Sequence, residues 1–252
     1  MLPEERRKLL LEQLNENGQV TIPDLARRFG VSEMTIRRDL DKCRRVGALE
    51  RCRGGALPRG DNVGEEDYSK KMSLNLEAKR RIAAYCAGLV QEGMQIYLDA
   101  GTTTYYIAQE LLTVPGLTFL TTDLKTALFL SRHKREVIML GGLIQNSTGS
   151  VVGPLALEMA SRFFVDIAFM GTACINENFD VLTPTIDKAF MKRAILQNAK
   201  ERFLTADSTK FHQSALVRVN SLSDYTAVVT DRPFSEEERR LAQLKKVEII
   251  VV

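Results

Sequence analysis

The chain has 252 residues, of which 44% are apolar and 27% charged, with a formal net charge of +3. This length suits one large domain, or a small domain followed by a larger one, and the apolar share is ample for a buried core. The N-terminus, MLPEERRKLLLEQL, is charged and amphipathic, unlike a secretory signal, and no apolar run approaches the length of a membrane span. We therefore expect a cytoplasmic protein that does not associate with a membrane.

The residues that most often bind metals are few and scattered. They are Cys43, Cys52, Cys86, Cys174, His133 and His212. The cysteines lack metal-binding or redox spacing, and two histidines offer little for a zinc site or a Ser-His-Asp triad. We expect reduced, mostly buried thiols, no metal and no cofactor.

The positive charge is concentrated at the N-terminus. Residues 1–60 hold 13 Lys and Arg against 9 Asp and Glu, whereas the remainder holds 22 against 23. Residues 37–59 alone contain eight basic and three acidic side chains. Such a density is typical of a surface that faces nucleic-acid phosphates.

The first 30 residues predict two helices. Residues 3–16 form the first, with leucines at helical spacing, and Val20 and Thr21 form a one-rung strand. Thr21 then caps a second helix over residues 23–29, which Gly30 ends.

Ser32 caps a third helix that begins near Glu33. Ile36, Leu40 and Cys43 fall at i, i+4 and i+7, so they form one buried stripe, and the basic side chains lie away from its centre. Alone, this pattern also fits an ordinary amphipathic surface helix. The preceding capped helix and the local basic excess favour a helix-turn-helix that binds DNA.

Residues 48–57, ALERCRGGAL, alternate weakly in polarity and pivot on a Gly pair. This pattern predicts a β-hairpin flanked by arginines, which would serve as a wing.

The order of these parts, RRKLLLEQL, VTIPDLARRFGVSEMTIRRDL and GALERCRGGA, resembles the winged-helix domain of the DeoR family of bacterial transcription regulators. The resemblance implies that the third helix enters the major groove of double-stranded operator DNA and that the wing contacts an adjacent backbone or minor groove. The residues expected at DNA are Ser32, Thr35, Arg37, Arg38, Lys42, Arg51, Arg53, Gly54 and Gly55.

Residues 58–72, rich in Pro, Gly and charge, predict a linker between a DNA-binding domain at 1–57 and a second domain at 73–252. The second domain alternates helical stretches with short apolar runs, which predicts an α/β fold with a mostly parallel sheet. The runs cover residues 94–98, 117–120, 136–140, 165–170, 202–205, 225–229 and 247–252.

Small and polar residues follow five of these runs, where an open α/β sheet binds its ligands. Each group is also compatible with an ordinary strand-to-helix turn, but five converging loops favour a ligand site. The DAGTTT sequence at 99–104 offers backbone amides and hydroxyls at a helix start, a natural seat for an anion.

These loops also resemble the effector domain of the DeoR family, which is similar to the fold of ribose-5-phosphate isomerase. The motifs DAGTTT, LGG, VVGPLA, MGT, KRAI and ADSTKF stand in family order. The resemblance implies a phosphorylated sugar or sugar-derivative effector, with its phosphate on Gly101 to Thr103 and its hydroxyls near Asp99, Asp207 and Lys210. The full set of expected contacts is Asp99, Gly101, Thr102, Thr103, Thr121, Thr122, Asp123, Gly141, Gly142, Gly171, Lys188, Asp207 and Lys210.

Two positions depart from the family pattern. Thr122 stands where the family usually has Asn, so an amide contact is either lost or replaced by a hydroxyl. Lys188 stands where the family often has Glu, which reverses the charge. Either the pocket selects a more acidic ligand, such as a sugar acid or a bisphosphate, or Asp187 takes over the acidic role.

The sequence therefore predicts a regulator, not an enzyme: a repressor of a carbohydrate-utilisation operon that its effector releases from DNA. The competing hypothesis is a sugar-phosphate isomerase with an accessory DNA-binding domain, for which Asp99 and Asp207 are the candidate proton-transfer groups. Because one recognition helix contacts few base pairs, we also expect a homo-oligomer, a dimer or a tetramer.

Overall fold

The computed structural model describes residues 3–17, 20–45, 49–52, 54–58, 68–145 and 148–252. The chain divides into two compact units, Met1–Asn62 and Val63–Val252.

The N-terminal unit is a winged helix-turn-helix. Its elements in chain order are α1 (Pro3–Asn17), β1 (Val20–Thr21), α2 (Ile22–Phe29), α3 (Glu33–Arg45), β2 (Leu49–Cys52) and β3 (Gly55–Pro58). The three strands form one antiparallel sheet in the order β1-β3-β2, so the hairpin of β2 and β3 is joined to the helices through β1.

Local capping sets the helix boundaries, as the sequence predicts. The Thr21 hydroxyl accepts a hydrogen bond from the Asp24 amide at 3.3 Å, and Gly30 ends α2 in the left-handed conformation with φ of 64°. The Ser32 hydroxyl accepts from the Thr35 amide at 3.2 Å and starts α3. The turn between α2 and α3 is therefore fixed at both ends.

The core of this unit holds Ile36, Leu40 and Cys43, the stripe predicted for α3. Beside it lies a buried ion pair that composition did not predict, in which Arg6 Nε on α1 donates to Asp39 Oδ2 at 2.6 Å. Since a buried carboxylate requires a partner, this pair ties α1 to α3.

The C-terminal unit is built on a seven-stranded parallel sheet. Its strands are β4 (Gln95–Leu98), β5 (Thr118–Thr121), β6 (Glu136–Met139), β9 (Val165–Met170), β12 (Ala199–Thr205), β14 (Ala227–Thr230) and β15 (Ile249–Val251), in the order β15-β14-β12-β9-β4-β5-β6. Each predicted apolar run forms one of these strands, with boundaries that differ by up to three residues. The predicted α/β class is confirmed.

Helices lie against this sheet and give it two apolar cores. The helices are α4 (Tyr68–Ser73), α5 (Leu76–Ala87), α6 (Thr102–Glu110), α7 (Leu124–Arg132), α8 (Pro154–Ala160), α9 (Ile186–Gln197) and α10 (Glu236–Leu244). Successive residues of a strand enter opposite cores: Ile96 and Leu98 belong to one, and Tyr97 to the other. A sheet that is buried on both faces explains the continuous apolar runs.

Five short strands outside the main sheet were not predicted. They are β7 (Leu143–Gln145), β8 (Ser150–Val152), β10 (Cys174–Ile175), β11 (Asp180–Thr183) and β13 (Val217–Ser221). β7 and β8 form a hairpin, and the other three form a small antiparallel sheet. Strands of two to five residues are too short to show a clear alternation.

The predicted linker at 58–72 ends too late, because its last residues are helical. Helix α4 includes Tyr68, which is buried, and Met72, which packs against an apolar core. The buried ammonium of Lys79 on α5 donates to the carbonyls of Lys71 and Leu74, so it holds the end of α4. The linker was predicted from its high content of charged residues, and the apolar pair Tyr68 and Met72, at i and i+4, was overlooked.

The described residues were also compared with the requirements for a membrane span and for a metal site. In the part of the chain that the structure describes, no helix is both long enough and apolar enough to cross a bilayer. The same residues contain no group of three or more His, Cys, Asp or Glu side chains that could hold a metal ion.

Candidate functional site

Helix α3 presents a polar face opposite its buried stripe. Ser32, Arg37, Arg38 and Lys42 are exposed, and Thr35 is half-buried with its hydroxyl 3.0 Å from that of Ser32. Arg37 also reaches Glu33 at 3.5 Å along the helix. Apart from the carboxylates of Glu33 and Asp41, this face offers hydrogen-bond donors, which suits an anionic partner.

A surface cleft of about 330 Å³ adjoins the same face. It is lined by Pro3, Arg6, Thr35, Arg38, Asp39, Asp41 and Lys42. Because Arg6 neutralises Asp39, the side chains here that extend into solvent as cations are Arg38 and Lys42. The cleft therefore extends the polar face of α3 toward the start of α1.

The two wing glycines have backbone roles. Gly54 lies in the hairpin turn with φ of 91°, a conformation that favours glycine. A Cβ atom on Gly55 would lie 2.0 Å from the Val20 carbonyl oxygen, so only glycine allows β3 to approach β1. Arg53 and the side chain of Arg51 lie outside the described residues, and their predicted DNA contacts stay predictions.

In the C-terminal unit, Asp99 follows β4 at the carboxyl edge of the sheet and is only 5% exposed. One carboxylate oxygen, Oδ2, accepts from the Gly171 amide at 3.0 Å and from the ammonium of Lys192 on α9. Lys192 also donates to the Gly171 carbonyl at 2.7 Å. The positive charge of Lys192 thereby balances the negative charge of Asp99. These contacts bring together the end of β4, the loop after β9 and helix α9.

Helix α6 begins at this edge. The first backbone hydrogen bond of the helix runs from the Tyr105 amide to the Gly101 carbonyl, so the amides of Thr102 and Thr103 precede the helical bonding pattern. The Thr104 hydroxyl donates back to the carbonyls of Asp99 and Gly101 and fixes the turn. These amides and the helix dipole favour an anion.

Thr121, Thr122 and Asp123, at the end of β5 and after it, are buried, and their side chains form hydrogen bonds within the protein. The Thr121 hydroxyl donates to the Leu98 carbonyl at 2.7 Å and thus joins β5 to β4. The Thr122 hydroxyl lies 3.0 Å from that of Tyr97. Asp123 caps α7, since its Oδ1 accepts from the amides of Lys125 and Thr126 at 2.8 and 2.9 Å.

Gly141 and Gly142 differ in their surroundings. A Cβ atom on Gly142 would lie 2.5 Å from the Val152 carbonyl oxygen on β8, whereas one on Gly141 would meet only Met159 Sδ at 3.8 Å. Gly142 is therefore required by the close approach of the β7–β8 hairpin.

Asp207 and Lys210 follow β12. Asp207 is buried, and its Oδ1 accepts from the Thr209 amide at 3.1 Å and from Asn75 Nδ2 at 3.0 Å. Lys210 is half-buried, and its charge lowers the pKa of the Cys174 thiol, although burial raises that pKa overall, to about 11. Asp207 thus ties the segment before α5 to the sheet edge.

The structure distinguishes Lys188 from Asp187 by burial. Lys188 is half-buried and its ammonium lies 3.5 Å from the Thr148 hydroxyl, next to the β7–β8 hairpin. Asp187 is exposed. Lys188 is therefore the more buried of the two side chains, and its predicted effector contact stays a prediction.

Two lysines of this region were absent from the predicted contacts. Lys192 belongs to the KRAI motif and is only 7% exposed. Lys125 extends its ammonium over the Tyr68 ring, 3.4 Å from the ring centroid. Lys192 could have been found from the sequence, because it falls at a buried position of α9. Nothing in the sequence pairs Lys125 with Tyr68.

Comparisons with known protein families agree with this architecture. Residues 6–58 match the DeoR-like helix-turn-helix domain, and residues 74–232 match the DeoR C terminal sensor domain. The chain belongs to the DeoR family of helix-turn-helix transcriptional regulators.

Relatives in this family align along nearly their whole length. The chain is 36% identical over 252 residues to the HTH-type transcriptional regulator YgbI of Escherichia coli, covering 100% of this chain and 98% of that protein. It is 30% identical to the HTH-type transcriptional regulator GlpR of Haloferax volcanii, covering 99% and 98%. It is also 30% identical to the glycerol-3-phosphate regulon repressor of E. coli, covering 91% of each.

Among solved structures, similarity reaches the ribose 5-phosphate isomerase A of Methanocaldococcus jannaschii. The two are 18% identical, with a TM-score of 0.41, over 54% of this chain and 55% of that one. The three relatives from Escherichia coli and Haloferax volcanii are named as transcriptional regulators, in agreement with the family of this chain.

The two glycines after β6 provide a matched pair of variants. We expect Gly142→Ala to destabilise the C-terminal unit by about 1–3 kcal/mol, because the added methyl group collides with the backbone of β8. Gly141→Ala should change stability by less than about 0.5 kcal/mol. Urea unfolding of the full chain measures both, and equal effects would contradict the assigned role of Gly142.

Proposed function

We propose that this DeoR-family protein represses a carbohydrate-utilisation operon by binding operator DNA through α3 and the wing. A phosphorylated sugar or sugar acid, bound at the carboxyl edge of the parallel sheet, releases it from DNA. The observation that carries the effector half is the start of α6, where amides 102 and 103 lie beside an Asp99 whose charge Lys192 already matches. Asp99 therefore presents no unpaired negative charge to an anion that binds there.

The position of Lys188 supports a strongly acidic ligand over a neutral sugar. Its ammonium lies beside Thr148 at 3.5 Å, on the side of the edge bounded by the β7–β8 hairpin. A cation at Lys188, in addition to the amides at the start of α6, suits a ligand with a second acidic group, such as a phosphorylated sugar acid or a bisphosphate. The name of one relative, the glycerol-3-phosphate regulon repressor, adds a phosphorylated polyol to the ligands worth testing.

Nothing in the geometry favours the isomerase alternative. A carboxylate that moves a proton beside a carbonyl must be free to accept it. Asp99 is paired with Lys192, and Asp207 accepts from Asn75 and Thr209. Both carboxylates therefore hold the fold in the arrangement that the structure describes.

We further propose that the protein acts as a dimer or tetramer. The exposed face of α3 spans only a few base pairs, and a symmetric pair of helices doubles the operator contacted. Selection of binding sites from a random duplex library tests this, since a symmetric assembly selects inverted repeats and a monomer selects single half-sites.

The basic face of α3 provides the test of DNA binding. We expect the double variant Arg37→Ala with Arg38→Ala to weaken binding to the selected duplex by at least about 30-fold, because each arginine contact contributes about 1–3 kcal/mol. Fluorescence anisotropy at fixed salt measures the affinity. The control, Arg80→Ala with Arg81→Ala, removes the same charge from exposed positions on α5 and should bind as wild type does. Equal affinities for all three proteins would refute the proposed interface.

The start of α6 provides the test of effector binding. Thr102→Glu places a carboxylate beside the first amides of the helix, where it competes with a ligand phosphate. We expect the variant to bind the selected duplex as tightly as wild type but to stay bound at ligand concentrations that release wild type.

Gln109→Glu adds the same charge near the other end of α6 and should be released normally. If Thr102→Glu loses DNA binding as well, with an unchanged melting temperature, the loop serves the DNA-bound state and not the effector.

A further inference from the structure

Tyr68 is the first residue of α4 and the sixth after Asn62, the last residue of the N-terminal unit. Its side chain is only 7% exposed, yet its hydroxyl has no hydrogen-bond partner within the described part of the chain. A buried hydroxyl without a partner is destabilising, so its presence requires an explanation.

The surroundings of Tyr68 place it at the first turn of α7. The Lys125 ammonium lies 3.4 Å from its ring centroid, a cation–π contact. The pKa of Tyr68 is raised well above its usual value, mainly by burial and further by the charges of Asp123, Tyr105 and Tyr106. Tyr68 therefore lies against α6 and α7, close to the cap of α7.

Two more buried polar atoms at that turn have no hydrogen-bond partner among the residues that the structure describes. They are Asp123 Oδ2 and Thr126 Oγ1, both on side chains with 0% exposure. The other carboxylate oxygen of Asp123 is engaged in capping α7, and the Thr126 amide is one of its donors. Three unpartnered polar atoms thus belong to side chains gathered around one helix turn.

Opposing effects act on the charge of Asp123 at this turn. Burial raises the pKa of Asp123, while the amides of Thr126 and Lys125, the Lys125 ammonium and the Gly101 amide oppose the rise. The Gly101 amide lies close enough to favour the charged carboxylate, although it completes no hydrogen bond to Oδ2. The turn is therefore adjacent to the start of α6, where the proposed effector carries its phosphate.

We propose that Tyr68 and Thr126 are effector-binding residues and that, with Asp123, they hydrogen-bond the hydroxyl groups of the ligand. This inference rests on the proposed effector function and names the residues that recognise the sugar part. A sugar hydroxyl both donates and accepts, so it can donate to Asp123 Oδ2 and accept from the hydroxyl of Tyr68 or Thr126. Inorganic phosphate at the start of α6 would leave these groups unsatisfied.

The consequence for regulation follows from the position of Tyr68 in the chain. Helix α4 is the first described element after the DNA-binding unit, and its end is held by Lys79 and by the Tyr106 hydroxyl, which donates to the Met72 carbonyl at 3.4 Å. A ligand hydrogen bond to Tyr68 therefore acts on the start of the segment that leads to the DNA-binding unit.

Tyr68→Phe tests the inference, because it removes the hydroxyl and keeps the ring over Lys125. Calorimetric titration of the full chain uses five probes: glycerol 3-phosphate, ribose 5-phosphate, fructose 1-phosphate, fructose 6-phosphate and 6-phosphogluconate. We expect the tightest probe for wild type to bind Tyr68→Phe about tenfold more weakly. Without ligand, the variant should melt at the same temperature as wild type or higher, because an unsatisfied buried group has been removed.

Thr126→Val should behave in the same way, since it keeps the shape of the side chain and its backbone donor to Asp123. Tyr85→Phe, at an exposed position on α5, is the control and should change neither affinity nor melting temperature.

The possible outcomes separate this inference from the proposed function. If wild type binds none of the probes, the effector function fails and this inference fails with it. If wild type binds a probe and both Tyr68→Phe and Thr126→Val bind it within twofold, water satisfies these groups and only the inference is overturned. A loss of affinity accompanied by a clearly lower melting temperature would show a packing role and would also overturn it.

Discussion

The buried ion pair of Asp99 and Lys192 holds together the polar edge on which the second unit depends. It joins the end of β4 to α9, and through the amide and carbonyl of Gly171 it includes the loop after β9. Breaking such a pair typically costs about 3–5 kcal/mol, because the remaining charge is left buried without a partner. The same pair removes a net negative charge from the edge, so it permits an anion to bind beside the start of α6.

Much of this arrangement follows from local sequence rules. Seven apolar runs predict the parallel sheet, because both faces of each strand are buried. Ser32, Thr21 and Gly30 predict the helix boundaries, because a cap satisfies amides that the helix itself leaves unpaired. The family resemblance predicts which loops meet, since it fixes their order along the chain.

What the sequence does not predict depends on contacts between distant residues. Asp207 is recognisable as a polar residue after a strand, but its bond to Asn75 spans 132 positions. Gly142 was predicted to contact the effector and Gly55 to contact DNA. The structure shows that each glycine also allows two backbones to approach closely. The predicted linker hid α4, since the burial of Tyr68 depends on α6 and α7, which lie far along the chain.

A ligand that shifts the protein between a DNA-binding and a released state must bind the two states with different affinities. The most direct measurement titrates the selected duplex with wild-type protein at fixed salt, with and without a saturating ligand, and then titrates the ligand with and without duplex. We expect both affinities to fall by the same factor, about 5- to 150-fold. A ligand that binds the C-terminal unit tightly while the affinity for the duplex stays unchanged would contradict it.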